Sequence, residues 1–223
     1  MNTDAKRLSG IYPIYIDMYR HTKNVIGSGA PAREATHALI MLHGRGASAT
    51  SIIDLADHFD LNEIAIFAPQ AVNNSWYPFS FMVPEEQNQP ALNSALAIID
   101  ELIRDIMNFG IPMEKIFFLG FSQGACLALE YVTRNAARYG GVVIFTGGLI
   151  GDKLNLAKYS GDFDGTCILI TTGDPDPHVP LARVQESVNV LTNLHAKVTL
   201  EVFKERPHTV SMEEIKLAKK LFI

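Results

Sequence analysis

Gly120-Phe121-Ser122-Gln123-Gly124 sets a hydroxyl between two glycines. It follows the apolar run Lys115-Ile116-Phe117-Phe118-Leu119 and precedes the helix-forming stretch Ala125–Tyr131. In that strand-to-helix context G-x-S-x-G is a nucleophile elbow, a turn so sharp that the serine stands out above a sheet. Residues without a Cβ beside the serine let strand and helix approach each other. A serine hydroxyl is a poor nucleophile at neutral pH and needs an adjacent base, itself held by a third group. The chemistry on offer is acyl transfer through Ser122.

Where such an elbow sits on a sheet, an acid and then a histidine follow the serine in chain order. Of seven histidines, only His178, His195 and His208 lie beyond both Ser122 and a candidate acid. His195 falls where a helix passes into a strand and reads as a solvated or capping residue. His178 shares a turn with Asp176, a poor geometry for reaching Ser122. His208 occupies a loop after the apolar run 197–203, at the carboxyl end of a strand, where sites sit in open α/β sheets. His208 is the expected general base. The acid comes from Gly173-Asp174-Pro175-Asp176-Pro177-His178-Val179-Pro180. Either aspartate could orient an imidazole Nδ1–H while the other caps the turn or the next helix, so these residues leave Asp174 and Asp176 both open.

The tetrahedral intermediate also needs N–H donors at its oxyanion. One expected donor is the amide of Gln123, directly after the serine; the other is the amide of Arg45 in His43-Gly44-Arg45-Gly46, a turn that follows the apolar run 37–42. His43 is expected to fix this loop. The Arg45 side chain is expected to be a solvated surface group rather than an anchor for an anionic substrate. No H-E-x-x-H or comparable local cluster points to a metal.

The elements that must position these groups follow from periodicity. Short apolar runs alternate with amphipathic stretches, the pattern of a mostly parallel sheet with helices on its faces. Strands are expected at 37–42, 64–68, 115–119, 141–146, 166–172 and 197–203, and helices near 49–59, 91–109, 123–136, 181–195 and 211–222. Residues 11–19 alternate loosely and, with Pro13, suit an edge strand, so 1–35 is expected to supply an edge strand and a loop. The stretch 69–90 holds Trp76, Tyr77, Phe79, Phe81 and Met82 without regular structure. It either walls a substrate site or covers the core. Trp76, Phe79, Phe81 and Phe121 together suggest a hydrophobic acyl or aryl group.

A chain of 223 residues with 48% hydrophobic and 19% charged content reads as one ordinary globular domain spanning 1–223. Its net charge of −5 gives no case for nucleic acid or an anionic membrane surface. No apolar run reaches spanning length and the first residues lead into no apolar leader, so neither stable membrane insertion nor a signal peptide is expected. Cys126 and Cys167 read as small buried hydrophobes, and a cytoplasmic setting is the default.

With Leu-His-Gly-Arg-Gly, Gly-Phe-Ser-Gln-Gly-Ala, Gly-Asp-Pro-Asp-Pro-His-Val-Pro and Pro-His-x4-Glu-Glu in order, the chain resembles the phospholipase/carboxylesterase family of α/β-hydrolases over about residues 36–222. The resemblance implies the α/β-hydrolase fold, with Ser122 as nucleophile, Asp176 as acid, His208 as base and backbone donors from Arg45 and Gln123. It also implies cofactor-free cleavage of a small-molecule carboxylic ester, frequently by a homodimer. Thioesterase-like members carry an aspartate where this chain has Ala47 and Trp-Phe-Asp where it has Trp76-Tyr77-Pro78, and here Arg206-Pro207 precede the histidine. A general esterase is therefore expected, with a thioesterase or lysophospholipase as the alternative.

Overall fold

The computed structural model describes residues 20–222. Seven strands form one sheet: β1 (Val25–Gly29), β2 (His37–Leu42), β3 (Ile64–Pro69), β4 (Ile116–Phe121), β5 (Gly141–Phe145), β6 (Cys167–Asp174) and β7 (Lys197–Lys204), in the spatial order β1-β3-β2-β4-β5-β6-β7. Only β1 runs antiparallel to its neighbour; every other pairing is parallel. The expected strand at 11–19 lies outside the described residues, and the edge beside β3 is held by Val25–Gly29.

Period-2 alternation divides the central strands between two apolar layers. Ala38, Ile40, Leu42, Phe118, Val142, Ile144, Ile168 and Ile170 face helices α2 (Ala91–Asn108), α3 (Gln123–Arg134) and α4 (Leu181–Asn193). Leu39, Met41, Phe117, Leu119, Val143, Phe145 and Leu169 face the opposite way, toward α1 (Ala49–Ile53) and α5 (Met212–Lys219). Helices thus cover both faces, as the alternation of elements implies. Helix α2 buries Leu92, Ala95, Ile99, Leu102, Ile103 and Ile106 along one stripe and stops before Gly110, whose φ of +97° suits glycine.

Two expectations change. The helix near 49–59 is a five-residue α-turn followed by a 3-10 segment, Asp54–His58. The tighter winding turns Phe59 inward against Phe222, ring centroids 5.1 Å apart. Cys126 is buried, but Cys167 is exposed, because it opens β6 at the rim of the sheet. No helix among the described residues is long and apolar enough to cross a membrane.

Candidate active site

The segments that leave β2, β4, β6 and β7 at their carboxyl ends converge on one point, the position parallel sheets favour for sites. At the end of β4 the backbone reverses into α3 through Ser122, at φ 54° and ψ −117°. A non-glycine residue there costs about 1–3 kcal/mol and persists only where the surroundings enforce it. They do so by close approach. A Cβ on Gly120 would lie 2.5 Å from the Gly124 carbonyl oxygen, and one on Gly124 would lie 2.1 Å from that of Leu42. The Ser122 N–H donates to the Phe145 carbonyl at 3.0 Å, tying the elbow to the end of β5.

His208 Nε2 accepts the Ser122 hydroxyl at 2.8 Å, and Nδ1–H donates to Asp176 Oδ2 at 2.8 Å. The second oxygen, Oδ1, accepts the backbone N–H groups of His178 and Val179, both at 2.9 Å. The Asp176 side chain is 0% exposed. Burial pushes its carboxyl upward, yet the hydrogen bonds from His208, His178 and Val179 prevail and hold it below the ordinary carboxylate range. Of the two competing aspartates it is Asp176 that meets His208. Asp174 is an exposed residue at the end of β6 whose carbonyl accepts from Glu205 at 3.0 Å. His195, exposed after α4, bonds Asp162 at 2.8 Å and stays away from the site. His178 stands in the cleft wall with its ring 4.8 Å from that of His208, edge to face.

The loop after β2 is held from several sides. Buried His43 accepts the Ala71 N–H at Nε2 (3.1 Å), so its Nδ1 carries the proton and donates to the Gly44 carbonyl at 2.8 Å. Burial lowers its affinity for a second proton. Among the described residues, the Arg45 and Gln123 amides make no hydrogen bond, which leaves both donors free for a ligand oxygen. The side chains of these two residues do work that spacing alone did not reveal. The Arg45 guanidinium donates to Ser75 Oγ (3.1 Å), Pro78 O (2.8 Å) and Phe79 O (2.6 Å), so it is a clasp on the 75–79 segment and not a free surface group. The Gln123 amide group accepts from Trp76 N (2.9 Å) and donates to Tyr77 O (2.8 Å).

A cleft of about 480 Å³ opens above Ser122, lined among others by Tyr77, Phe79, Phe81, Cys126, Val179 and His208. The segment 69–90 lines the cleft with some of its residues and buries others in the core. Phe79, half exposed, and Phe81 line the cleft. Trp76 does not. It is 0% exposed beneath the loop after β2, and its indole N–H donates to the His43 carbonyl at 2.9 Å. A buried indole needs such a partner, and here it props up the loop and does not line the cleft. Phe121 packs on the His208 ring, centroids 5.3 Å apart, and is not among the residues lining the cleft. The Cys126 thiol in the cleft wall is no rival to Ser122, because burial pushes its pKa up to about 12.

The phospholipase/carboxylesterase family matches residues 23–223 of this chain. A phospholipase/carboxylesterase from Dyadobacter fermentans DSM 18053, of known crystal structure, is 56% identical and superposes with a TM-score of 0.91, covering 92% of this chain and 98% of its own. A probable carboxylesterase of Oryza sativa subsp. japonica is 27% identical over 209 residues, 84% of this chain and 77% of the relative. Acyl-protein thioesterase 1 of Eremothecium gossypii is 28% identical over 134 residues, 53% of this chain and 57% of the relative. The Bacillus cereus carboxylesterase, at 19% identity and a TM-score of 0.74, shares the fold.

Proposed function

Because the chain belongs to the phospholipase/carboxylesterase family of hydrolases, we propose that Ser122, His208 and Asp176 cleave carboxylic esters with apolar acyl or aryl groups through an acyl-enzyme. The observation that carries this reading is the hydrogen-bonded chain from Ser122 Oγ through His208 to Asp176, 2.8 Å at each step. His208 Nε2 takes the serine proton as Oγ attacks the ester carbonyl. The oxygen of the tetrahedral intermediate accepts the Arg45 and Gln123 N–H groups. Asp176 keeps the proton on Nδ1 and stabilises the imidazolium, which then protonates the departing alcohol. Water enters, His208 deprotonates it, and the acyl group leaves Ser122 by the same route. The aromatic wall of Tyr77, Phe79 and Phe81 supports an apolar substrate.

Para-nitrophenyl esters of graded acyl length test the reading. Wild-type protein turns them over, and Ser122→Ala and His208→Ala each lower kcat by at least about 10⁴-fold. A Ser122→Ala variant that keeps a tenth of the activity overturns it. The likeness to acyl-protein thioesterase 1 favours thioesters as a second substrate class, and matched oxy- and thioesters separate the two by their relative kcat/KM. The cytoplasmic setting we assign is supported by Cys126 and Cys167, both unpaired.

A further inference from the structure

The loop that carries His208 is held by a buried guanidinium. The Arg206 side chain is 7% exposed, and its Nη1 donates to the carbonyls of Pro207 (3.0 Å) and Thr209, the residues on either side of His208. Its Nη2 donates to Thr146 Oγ1 at 2.6 Å. Thr146 directly follows Phe145, whose carbonyl accepts the Ser122 N–H. On the third side, Arg206 Nε lies 3.5 Å from Oε2 of fully buried Glu214, whose oxygens also accept the Thr171 hydroxyl and the Ser211 N–H. One planar group thus spans the backbone flanking the histidine and the strand end that fixes the serine. The rigid fork of arginine suits such a role better than a point charge does.

We propose that Arg206 is a positioning residue for the reaction, setting the distance between His208 Nε2 and Ser122 Oγ by clamping the 207–209 backbone to the end of β5. The inference rests on the roles assigned above to Ser122 and His208. Any slippage of this loop against β5 moves Nε2 relative to Oγ, and a misplacement of about 1 Å in such a pair costs on the order of 100-fold in rate. Substrate binding does not involve the clamp, because Arg206 is not among the residues lining the cleft.

The test uses the full chain, with folded protein quantified by thermal unfolding. For Arg206→Met, kcat on para-nitrophenyl butyrate falls about 100-fold while KM stays within about 3-fold, and labelling of Ser122 by a fluorophosphonate slows in parallel. Arg206→Lys, which restores one donor group, recovers activity to within about 10-fold of wild type. A purely structural role predicts a lower Tm with wild-type kcat per folded molecule, and that result overturns the proposal. Should Arg206→Met not fold, Thr146→Val decides. It removes one acceptor of the clamp at nearly constant shape, and kcat falls about 10-fold at unchanged KM; an unaltered kcat overturns the proposal. His208→Ala separates the two levels: if it keeps its turnover, the base assignment itself fails. If His208→Ala is inactive while Arg206→Met is fully active, only the positioning role fails.

Discussion

Gly124→Ala is the most revealing single change. A Cβ there would sit 2.1 Å from the Leu42 carbonyl oxygen and 2.5 Å from that of His43. Reaching even a 3.0 Å contact requires the Leu42 oxygen to retreat by about 0.9 Å. It cannot do so freely, because β2 is paired to β3 on one side and β4 on the other. Overpacking of this kind costs about 1–3 kcal/mol, which for a chain of this size lowers Tm by roughly 2–4 °C for each kcal/mol. The larger effect falls on the reaction. His43 and Gly44 lead directly into Arg45, so the retreat carries out of line the amide we propose as one oxyanion donor. Loss of such a donor is worth about 2.7–4 kcal/mol, or roughly 10²–10³ in kcat. The assay pairs a thermal melt with kcat on a short ester. Gly46→Ala is the control. It has a φ of +78° but nothing within 4 Å of the added Cβ, so it carries backbone strain alone, about 1–2 kcal/mol. If the two variants lose the same activity, or Gly124→Ala keeps kcat within about 2-fold, close approach is not what shapes the elbow.

Two further predictions concern the acid. In Asp176→Asn the two backbone N–H groups on Oδ1 keep the amide oxygen in that position, which leaves the NH₂ facing His208 Nδ1. The imidazole must then carry its proton on Nε2, where it cannot accept from Ser122, and kcat falls about 10⁴-fold. Asp174→Asn stays within about 3-fold, and the reverse ranking in steady-state assays refutes the assignment. The same carboxylate makes stability depend on pH. Its folded pKa lies below the unfolded value, so the folded state favours the ionised form. That contribution is complete above about pH 4 and disappears as pH falls through the lowered folded pKa. The difference in Tm between wild type and Asp176→Asn should therefore narrow from pH 5 to pH 3, and a widening gap contradicts the argument.

Much of this site was legible in the chain because its signals are local. G-x-S-x-G, the His-Gly-x-Gly turn and an apolar run ahead of each functional loop mark strand ends in short windows; chain order cuts seven histidines to three, and of these His208 occupies a loop at the carboxyl end of a strand. The alternation of strands and helices was enough to expect the Ser122 elbow and the His208 loop at strand ends of a mostly parallel sheet, whereas the order of its seven strands came from the fold. Asp174 and Asp176 could not be separated by physical reasoning on sequence, because both lie within one turn and differ only in which way that turn faces. Trp76 was misplaced for a related reason: composition identifies an aromatic loop but not the side of the backbone each ring takes.

The elbow, the histidine loop and the two-sided sheet were written into residue types and spacing, since turns, periodicity and chain order can be read along the sequence. Beyond the choice of aspartate and the placing of Trp76, three features required the assembled fold: the Arg45 clasp on residues 75–79, the Gln123 side chain bridging α3 to Trp76 and Tyr77, and Arg206 between the histidine loop and β5. Each joins segments about 30 to 60 residues apart. A long polar side chain reads as an ordinary surface residue in any local window, and only the packing of distant loops supplies the acceptors that make it a clamp.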